Sequence, residues 1–579
     1  MDTDSLIDSM RYLALATDYD GTLATEGQVD HATLAALERL RDSGRSLILV
    51  TGRQLDDLLQ VFPDAARFDC VVAENGALLY WPGQREEEIL GDRPPDVFIQ
   101  HLQERQVDPL SVGQVIVATW EPYETTVIEA IRDLGLELQV IFNKGAVMVL
   151  PSGINKATGL SAALKAMKLS PHNVVGIGDA ENDHAFLSLC ECSVAVANAL
   201  PMLKERADLT TQQSRGAGVI EVIERVIASD LGEMEPQLVR YKLLLGKQED
   251  GEAVCLQPYG ESVLLAGSSG GGKSTLATSI VERLIEQSYQ FCLIDPEGDY
   301  ENFEGAVVLG DNQRVPRVVE ILELLDQPNQ NVIVNLLGIG LKDRPAFLAQ
   351  LLPSLQELRI HTGRPHWIVI DEAHHLLPAS WDPASLTLPQ QFQGMLMITV
   401  HPEQLAPVAL SSVTTILTVG QSPGERIQAF CEIVGQSPPT LVPQALETGE
   451  AFAWFRQRDL APFRFQIIPP SAERRRHVRK YAEGKLGEDK SFFFRGPQAK
   501  LNLRAQNLVL FSQLVEGVDD ETWLYHLHRS DYSRWFANAI KDEDLAHEAQ
   551  QIEELTQVSA AETRRLIQEA IAQRYTLPA

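Results

Sequence analysis

Tyr12 to Thr22 reads YLALATDYDGT: a short apolar strand, Tyr12–Thr17, that stops at Asp18-Tyr19-Asp20-Gly21-Thr22. Carboxylates two residues apart at a strand end point to one side, and Gly21 permits a turn sharp enough to aim both at one cavity. Two such acids repel each other unless a cation lies between them or one holds a proton. Either outcome is chemistry: one aspartate attacks, the other moves a proton, and Mg2+ screens an incoming phosphate.

Other segments lead to the same place. Leu47–Val50 runs into Thr51-Gly52-Arg53, Lys156 opens a helix after Gly153-Ile154-Asn155, and Val174–Ile177 runs into Gly178-Asp179-Ala180-Glu181-Asn182-Asp183. In a parallel sheet the carboxyl ends of the strands collect at one edge, where ligands of open α/β folds bind. A nucleophile, an acid, a hydroxyl, a cation and further acids are thus expected at one edge. Read singly, Asp18–Thr22 also suits a calcium loop and Lys156 a solvated helix start; four such segments in order argue against coincidence.

The set resembles the haloacid dehalogenase-like phosphatases of the Cof type, over residues 1–230. The resemblance implies that Asp18 is the nucleophile that becomes an aspartyl-phosphate and Asp20 the general acid and base. Thr51 would hold a phosphate oxygen, and Lys156 would neutralise developing charge. Asp179 would ligate Mg2+ beside Asp18 and the Asp20 carbonyl, with Asp183 in support. It also implies that residues 82–152, read as strand, helix, strand, strand, form a small α+β cap with Asn143 and Lys144 as candidate contacts. The expected substrate is a small phosphorylated metabolite, a sugar phosphate or phosphoglycolate.

A second series of strand-then-helix units begins near Val263, after a polar stretch, Ser229–Gln237, that reads as a linker. Val263–Ala266 leads into Gly267-Ser268-Ser269-Gly270-Gly271-Gly272-Lys273-Ser274-Thr275 and then an apolar helix pattern. This is the phosphate-cradling loop: glycines turn successive N–H groups inward, Lys273 reaches the β and γ phosphates of ATP, and Ser274 reaches Mg2+. Trp367–Ile370 ends in Asp371-Glu372, where one acid can hold the Mg2+ shell and the next can polarise water. Glu372 is also placed to be a helix N-terminal acid favoured by the dipole.

With Asp295-Pro296-Glu297-Gly298-Asp299-Tyr300 and Leu446–Phe452, this second unit resembles the HerA/FtsK branch of P-loop ATPases over residues 236–470. The resemblance implies a hexameric ring completed by a neighbour's arginine, with Arg426, Arg456, Arg458 and Arg474–Arg476 as candidates. His401 stands where the branch usually has Gln and is a candidate γ-phosphate sensor; it equally suits a core or capping histidine. The barrel that precedes many such motors is reduced to about 238–258 or missing.

Lys and Arg number 49 against 80 Asp and Glu, a net charge of −31. That excess weighs against broad binding to nucleic acid or anionic membranes, both polyanions; the basic run Arg474–Lys480 is expected to be a solvated face or an inter-subunit contact. Hydrophobic content of 44% with 22% charged residues excludes a disordered or fibrous chain. There is no apolar run long enough to span a bilayer, the acidic start Met1-Asp2-Thr3-Asp4 does not look like a signal peptide, and the six cysteines include no CxxC pair. A cytoplasmic protein is expected.

Residues 471–579 carry no phosphate-loop signal. They are expected to form a small α or α+β accessory domain with helices at Leu501–Val515 and Lys541–Arg574. His526, His528 and Asp531 offer a metal site or, as the favoured reading, aromatic packing around hydrogen-bonded histidines. The fold class is therefore α/β: two doubly wound parallel sheets, one capped, plus this domain. The expected function is an Mg2+-dependent phosphatase fused to an ATPase. The alternatives are a small-molecule kinase opposing the phosphatase, and a nucleic-acid motor or defence effector.

Overall fold

The computed structural model describes residues 10–574 except 239, 269, 302, 381–392, 441–445, 458–460, 471–485, 487–489, 498–500, 541 and 556–557. The first core sheet begins with β1 (Ala14–Asp18), β2 (Ser46–Val50) and β3 (Cys70–Ala73), nearly continuous apolar runs buried almost throughout. Burial on both faces is what a helix-covered parallel sheet demands. β4 (Leu78–Trp81) and β5 (Glu86–Ile89) turn antiparallel, and the exposed Glu-rich β5 blunts the edge.

The chain then builds the cap from β6 (Ser111–Val112), β7 (Val117–Trp120), β8 (Leu138–Asn143) and β9 (Ala146–Pro151) before returning to β10 (Val174–Gly178), β11 (Cys192–Ala195) and β12 (Leu209–Thr210). The core order is β12-β11-β10-β1-β2-β3-β4-β5, and the cap is a separate antiparallel sheet, β6-β7-β9-β8. The cap has one strand and one helix more than the sequence pattern suggested. Helix Asp96–Glu104 follows Pro94-Pro95 and buries Phe98 and Leu102, one turn apart.

Ser229–Gln237 is not a free linker. It ends a helix at Asp230, which takes the Arg45 guanidinium, and Leu231, Met234 and Leu238 finish the first core.

The second sheet has 11 strands. β13 (Leu243–Lys247) and β14 (Ala253–Leu256) form an edge hairpin in the stretch read as a reduced or missing barrel. β15 (Ser262–Gly267), β16 (Phe291–Asp295), β17 (Val307–Leu309), β18 (Val332–Asn335), β19 (Trp367–Ile370), β20 (Met395–Thr399) and β21 (Thr415–Val419) run parallel. β22 (Glu450–Phe455) and β23 (Phe463–Ile467) return antiparallel, giving β14-β13-β23-β22-β21-β15-β20-β19-β16-β18-β17.

The two sheets meet back to back. Tyr289 precedes β16 and donates to Glu191, which precedes β11, at 3.0 Å. Its ring stacks on His172, before β10, at 3.8 Å. Arg364 reaches the Lys168 carbonyl at 2.8 Å, and Arg11 lies over the Tyr259 ring at 3.8 Å. Every one of these residues sits where strands begin, so the carboxyl ends of the two sheets face opposite poles.

The C-terminal part pairs β24 (Phe492–Phe494) with β25 (Leu503–Ala505) under a helical layer. The helix expected from Leu501 starts instead at Leu508, because Asn507 caps it by accepting the Leu510 N–H at 2.8 Å and the residues before it pair as a strand. The long terminal helix is two, Glu543–Glu553 and Ala560–Arg574. Ser559 accepts the Glu562 and Thr563 N–H groups and so starts the second afresh.

Candidate active sites

At the first carboxyl edge, Asp18 pairs in register with Val50 and Thr17 with Ile177, which sets Thr51 and Asp179 on either side of Asp18. One oxygen each of Asp18, Asp179 and Asp183 lie within 4.8 Å of one another. These acids and Lys156 are 4%, 3%, 0% and 1% exposed, so each charge must find its partner inside the protein. Lys156 provides it: Nζ lies 2.5 Å from Asp18 Oδ1 and 2.6 Å from Asp183 Oδ1. A reciprocal capping box fixes the lysine at its helix start, with Asn155 accepting the Thr158 N–H and Thr158 accepting the Asn155 N–H. Asp183 in turn accepts the N–H groups of Asp179 and Ala180, both at 2.9 Å.

Burial, reinforced by Asp183, pushes the Asp18 carboxyl up to about 7 against the pull of Lys156. Burial works against the Lys156 charge, but Asp18 and Asp183 outweigh it and hold the ammonium protonated. Burial likewise raises Asp179. Clustered acids raised in this way are what a divalent cation relieves.

Asp20 is the sequence-predicted group that this edge does not aim inward. Its carboxylate lies in the fork of Arg53, with Nε–Oδ2 2.7 Å and Nη2–Oδ1 2.9 Å. Its backbone carbonyl does face the acids, 3.3 Å from Lys144 Nζ, and that ammonium is 2.8 Å from Asp179 Oδ2. The oxygens of Asp18, Asp179 and the Asp20 carbonyl form an all-oxygen set around a seat that already attracts a cation, which suits Mg2+.

The sequence assigned no role to Glu74, a buried carboxylate that staples the cap to the core. It accepts the N–H groups of Gln114, Val115 and Ile116 at 3.0, 2.7 and 2.9 Å. Its place just after β3 was the one available signal.

At the second carboxyl edge the loop after β15 is curled. The Gly271 N–H reaches the Ser268 carbonyl at 3.1 Å, and Gly272, at φ +96°, opens the helix Lys273–Glu286. Lys273 folds back over the loop, 3.0 Å from the Gly267 carbonyl and 2.9 Å from that of Ser268. Gly270 also turns with positive φ, and Ser274 and Thr275 occupy the first helical turn. Asp371 lies just beyond β19, its N–H on the Ile294 carbonyl. Burial, then the neighbouring acids Glu372, Asp299 and Asp295, push its carboxyl well above the usual range. Glu372, left-handed at φ +42°, stands at the N-cap of the short turn Ala373–His375 and makes no side-chain capping bond there.

Thr399, at the end of β20 between the loop strand and the Asp371 strand, gathers two histidines. Its hydroxyl lies 3.1 Å from His374 Nδ1 and accepts the His401 N–H at 3.0 Å. The His401 ring meets His374 edge-on and bonds Glu403 at 2.9 Å. Asp295 organises its own loop, accepting the N–H groups of Glu297, Gly298 and Tyr300 at 3.1, 2.8 and 2.8 Å.

Among the candidate fingers, Arg426 bonds the Val400 carbonyl beside the nucleotide edge. Arg456 is tied to Val413 and Gln436 at the opposite end of the sheet. Arg458 and Arg474–Lys480 lie outside the described residues. In the C-terminal part, His526 Nδ1 bonds Asp531 at 2.8 Å and its Nε2 accepts the Arg495 N–H at 3.1 Å. Both ring nitrogens are taken, so it packs as a core histidine.

The family model for haloacid dehalogenase-like hydrolases matches residues 15–109 and 100–223, and the model for the central domain of helicase HerA matches residues 252–341. A phosphoglycolate phosphatase of Methanothermobacter thermautotrophicus is 32% identical over 223 residues, 37% of this chain and 97% of that protein. One from Halorubrum lacusprofundi is 30% identical over 36% of this chain and 95% of its own length. Phosphoglycolate phosphatase 2 of Saccharolobus solfataricus is 27% identical, over 38% of this chain and 94% of its own length. Through its first part the chain belongs to the haloacid dehalogenase-like hydrolases, and its residues 252–341 are similar to the central domain of helicase HerA.

Proposed function

We propose that residues 1–230 form an Mg2+-dependent phosphomonoesterase, with the cap at 82–152, acting on a small phosphorylated acid of the phosphoglycolate type. The observation that carries this reading is the buried Lys156 bridging Asp18 and Asp183, with Asp179 alongside. The names of the relatives support the substrate class.

In this reading an Asp18 oxygen attacks phosphorus and the ester P–O bond breaks. Asp20 swings out of the Arg53 fork, takes up a proton from solvent and gives it to the departing alkoxide. Asp20 then takes a proton from water as that water attacks the aspartyl-phosphate, and the Asp18 carboxylate leaves. Lys156 and the Thr51 hydroxyl hold the phosphoryl oxygens. Bound at Asp18, Asp179 and the Asp20 carbonyl, Mg2+ would neutralise phosphoryl charge and favour the ionised nucleophile.

Residues 236–470 are proposed to hydrolyse ATP, as a ring. The loop from Gly267 to Thr275, with Lys273 and Ser274, would hold the phosphates and Mg2+. Asp371 would hold the metal shell, Glu372 would polarise water, and His401 would sense the γ-phosphate. Residues 471–579 are an accessory domain. Back-to-back sheets put the two pockets at opposite poles, which favours independent sites over a kinase that shares the phosphatase's substrate.

Six described cysteines without a disulfide support a cytoplasmic setting. Among the described residues no helix is long and apolar enough to cross a membrane.

The test is phosphate release from 2-phosphoglycolate and a panel of phosphate esters, alongside ATP turnover. Asp18→Asn is expected to abolish ester hydrolysis and leave ATP turnover; Lys273→Ala should do the reverse. Loss of both activities in either variant would overturn the reading of independent sites.

A further inference from the structure

The hairpin joining β8 to β9 has a two-residue tip, Lys144-Gly145, between the paired residues Asn143 and Ala146. Both tip residues are left-handed, at φ +49° and +86°. Tight hairpins need this geometry and usually fill it with Asn, Asp or Gly, so a lysine at the first position is held there at some strain. From it the side chain crosses from cap to core. Nζ lies 2.8 Å from Asp179 Oδ2 and 3.3 Å from the Asp20 carbonyl oxygen.

Both belong to groups assigned above to the divalent ion, the Asp179 carboxylate and the Asp20 carbonyl. The other nearby ammonium, Lys156, is already engaged with Asp18 and Asp183. The approach is made possible by Gly21: a Cβ there would lie 2.4 Å from Asp179 Oδ2 and 2.9 Å from Lys144 Nζ. The Lys144 side chain is 47% exposed, unlike Lys156, so solvent can take it back at little cost.

We propose that Lys144 is an internal counter-cation that occupies the metal seat when the cap is closed on the metal-free core, so that a divalent ion binds only as the cap tip withdraws. The inference rests on the metal role given to Asp179 and the Asp20 carbonyl. An ammonium and a divalent ion cannot share those oxygens, since they need the same space and repel at that range. Metal loading and cap closure therefore compete in the free protein. A small phosphorylated acid, bringing negative charge to the seat, removes the competition by giving both cations an anion to face.

The test is calorimetric titration of the full chain with Mg2+, without nucleotide or substrate. Lys144→Asn removes the charge and suits the left-handed tip; Lys144→Arg keeps the charge. The Asn variant is expected to bind Mg2+ about tenfold more tightly than wild type at the same stoichiometry, and the Arg variant within about twofold of it. Amide exchange at residues 143–146 should rise in wild type when Mg2+ is added, as the tip lifts. Asp179→Asn separates the two ideas. If it binds Mg2+ as wild type does, the metal reading of the site fails. If it loses binding while Lys144→Asn binds no more tightly than wild type, the Lys144 proposal alone is overturned.

Discussion

Asp20 and its neighbour Asp18 differ by two positions in sequence and by everything in environment. Asp18 is sealed in with Lys156, whereas Asp20 rests on Arg53 with nearly half its side chain exposed. A carboxyl that moves protons must reach solvent and the leaving group in turn, and the exposed position allows that. Asp20→Asn is therefore expected to lower kcat/KM for an alkyl phosphate by about 10²–10³. It should cost p-nitrophenyl phosphate much less, because p-nitrophenolate departs without a proton. Equal losses on the two esters would assign Asp20 to binding instead. Lys156→Met leaves two buried acids facing each other, and a urea melt should show a loss of about 3–5 kcal/mol. At this scale the motif residues were legible because each sits next to its strand end along the chain. Lys144 was named as a cap contact, but neither its Asp179 partner nor the Arg53 fork was legible, since both depend on side-chain directions across long stretches of sequence.

Single elements show where local signals decide and where they mislead. The phosphate loop was readable as a unit because strand, glycines and helix are contiguous, and Gly270 and Gly272 do adopt the turns that their lack of a Cβ allows. The run from Asp295 to Tyr300 served as a family mark, yet its first residue proves to be a loop organiser with three backbone donors on one carboxylate. Asp295→Ala should leave those buried N–H groups short of an acceptor, costing about 1–3 kcal/mol. ATP turnover should fall with it, because Asp299 lies in that loop and Asp371 bonds the Ile294 carbonyl at its start. Asp295→Asn keeps one accepting oxygen and should recover part of both. Full turnover in the Ala variant, measured well below its melting temperature, would separate the loop from the site. The strand at Leu503–Ala505 was misread as helix because alternation over three residues is too short to distinguish, although the cap at Asn507 marked the true start.

At the scale of the whole molecule, the two large sheets are joined by a seam that no motif announces. Glu191 is fully buried and accepts from Arg11 at 2.6 Å and from Tyr289 at 3.0 Å, and it lies 2.6 Å from His172 Nδ1. The other nitrogen of His172 lies 2.6 Å from the carbonyl of Gln287, which caps the helix Lys273–Glu286 of the second domain. The ring thus links an acceptor of the first domain to one of the second. Burial opposes the Glu191 charge, but the His172 hydrogen bond and the charges of His172 and Arg11 outweigh it and hold the carboxyl below its ordinary value of 4.5. A lowered value means that the stability from this charge is fully present above pH 4.5 and is lost as pH falls through the folded-state value. Glu191→Gln discards it at every pH and leaves Arg11 and His172 unanswered, a cost of about 3–5 kcal/mol at pH 7. Calorimetry should show the wild-type domains melting together at pH 7, with the first domain and the ATPase domain separating in the variant. The variant should also lose less stability than wild type between pH 7 and pH 4. Parallel losses over that range would mean that the carboxylate is not what joins the two sheets, and that the stacked Tyr289 and His172 rings carry the seam without it.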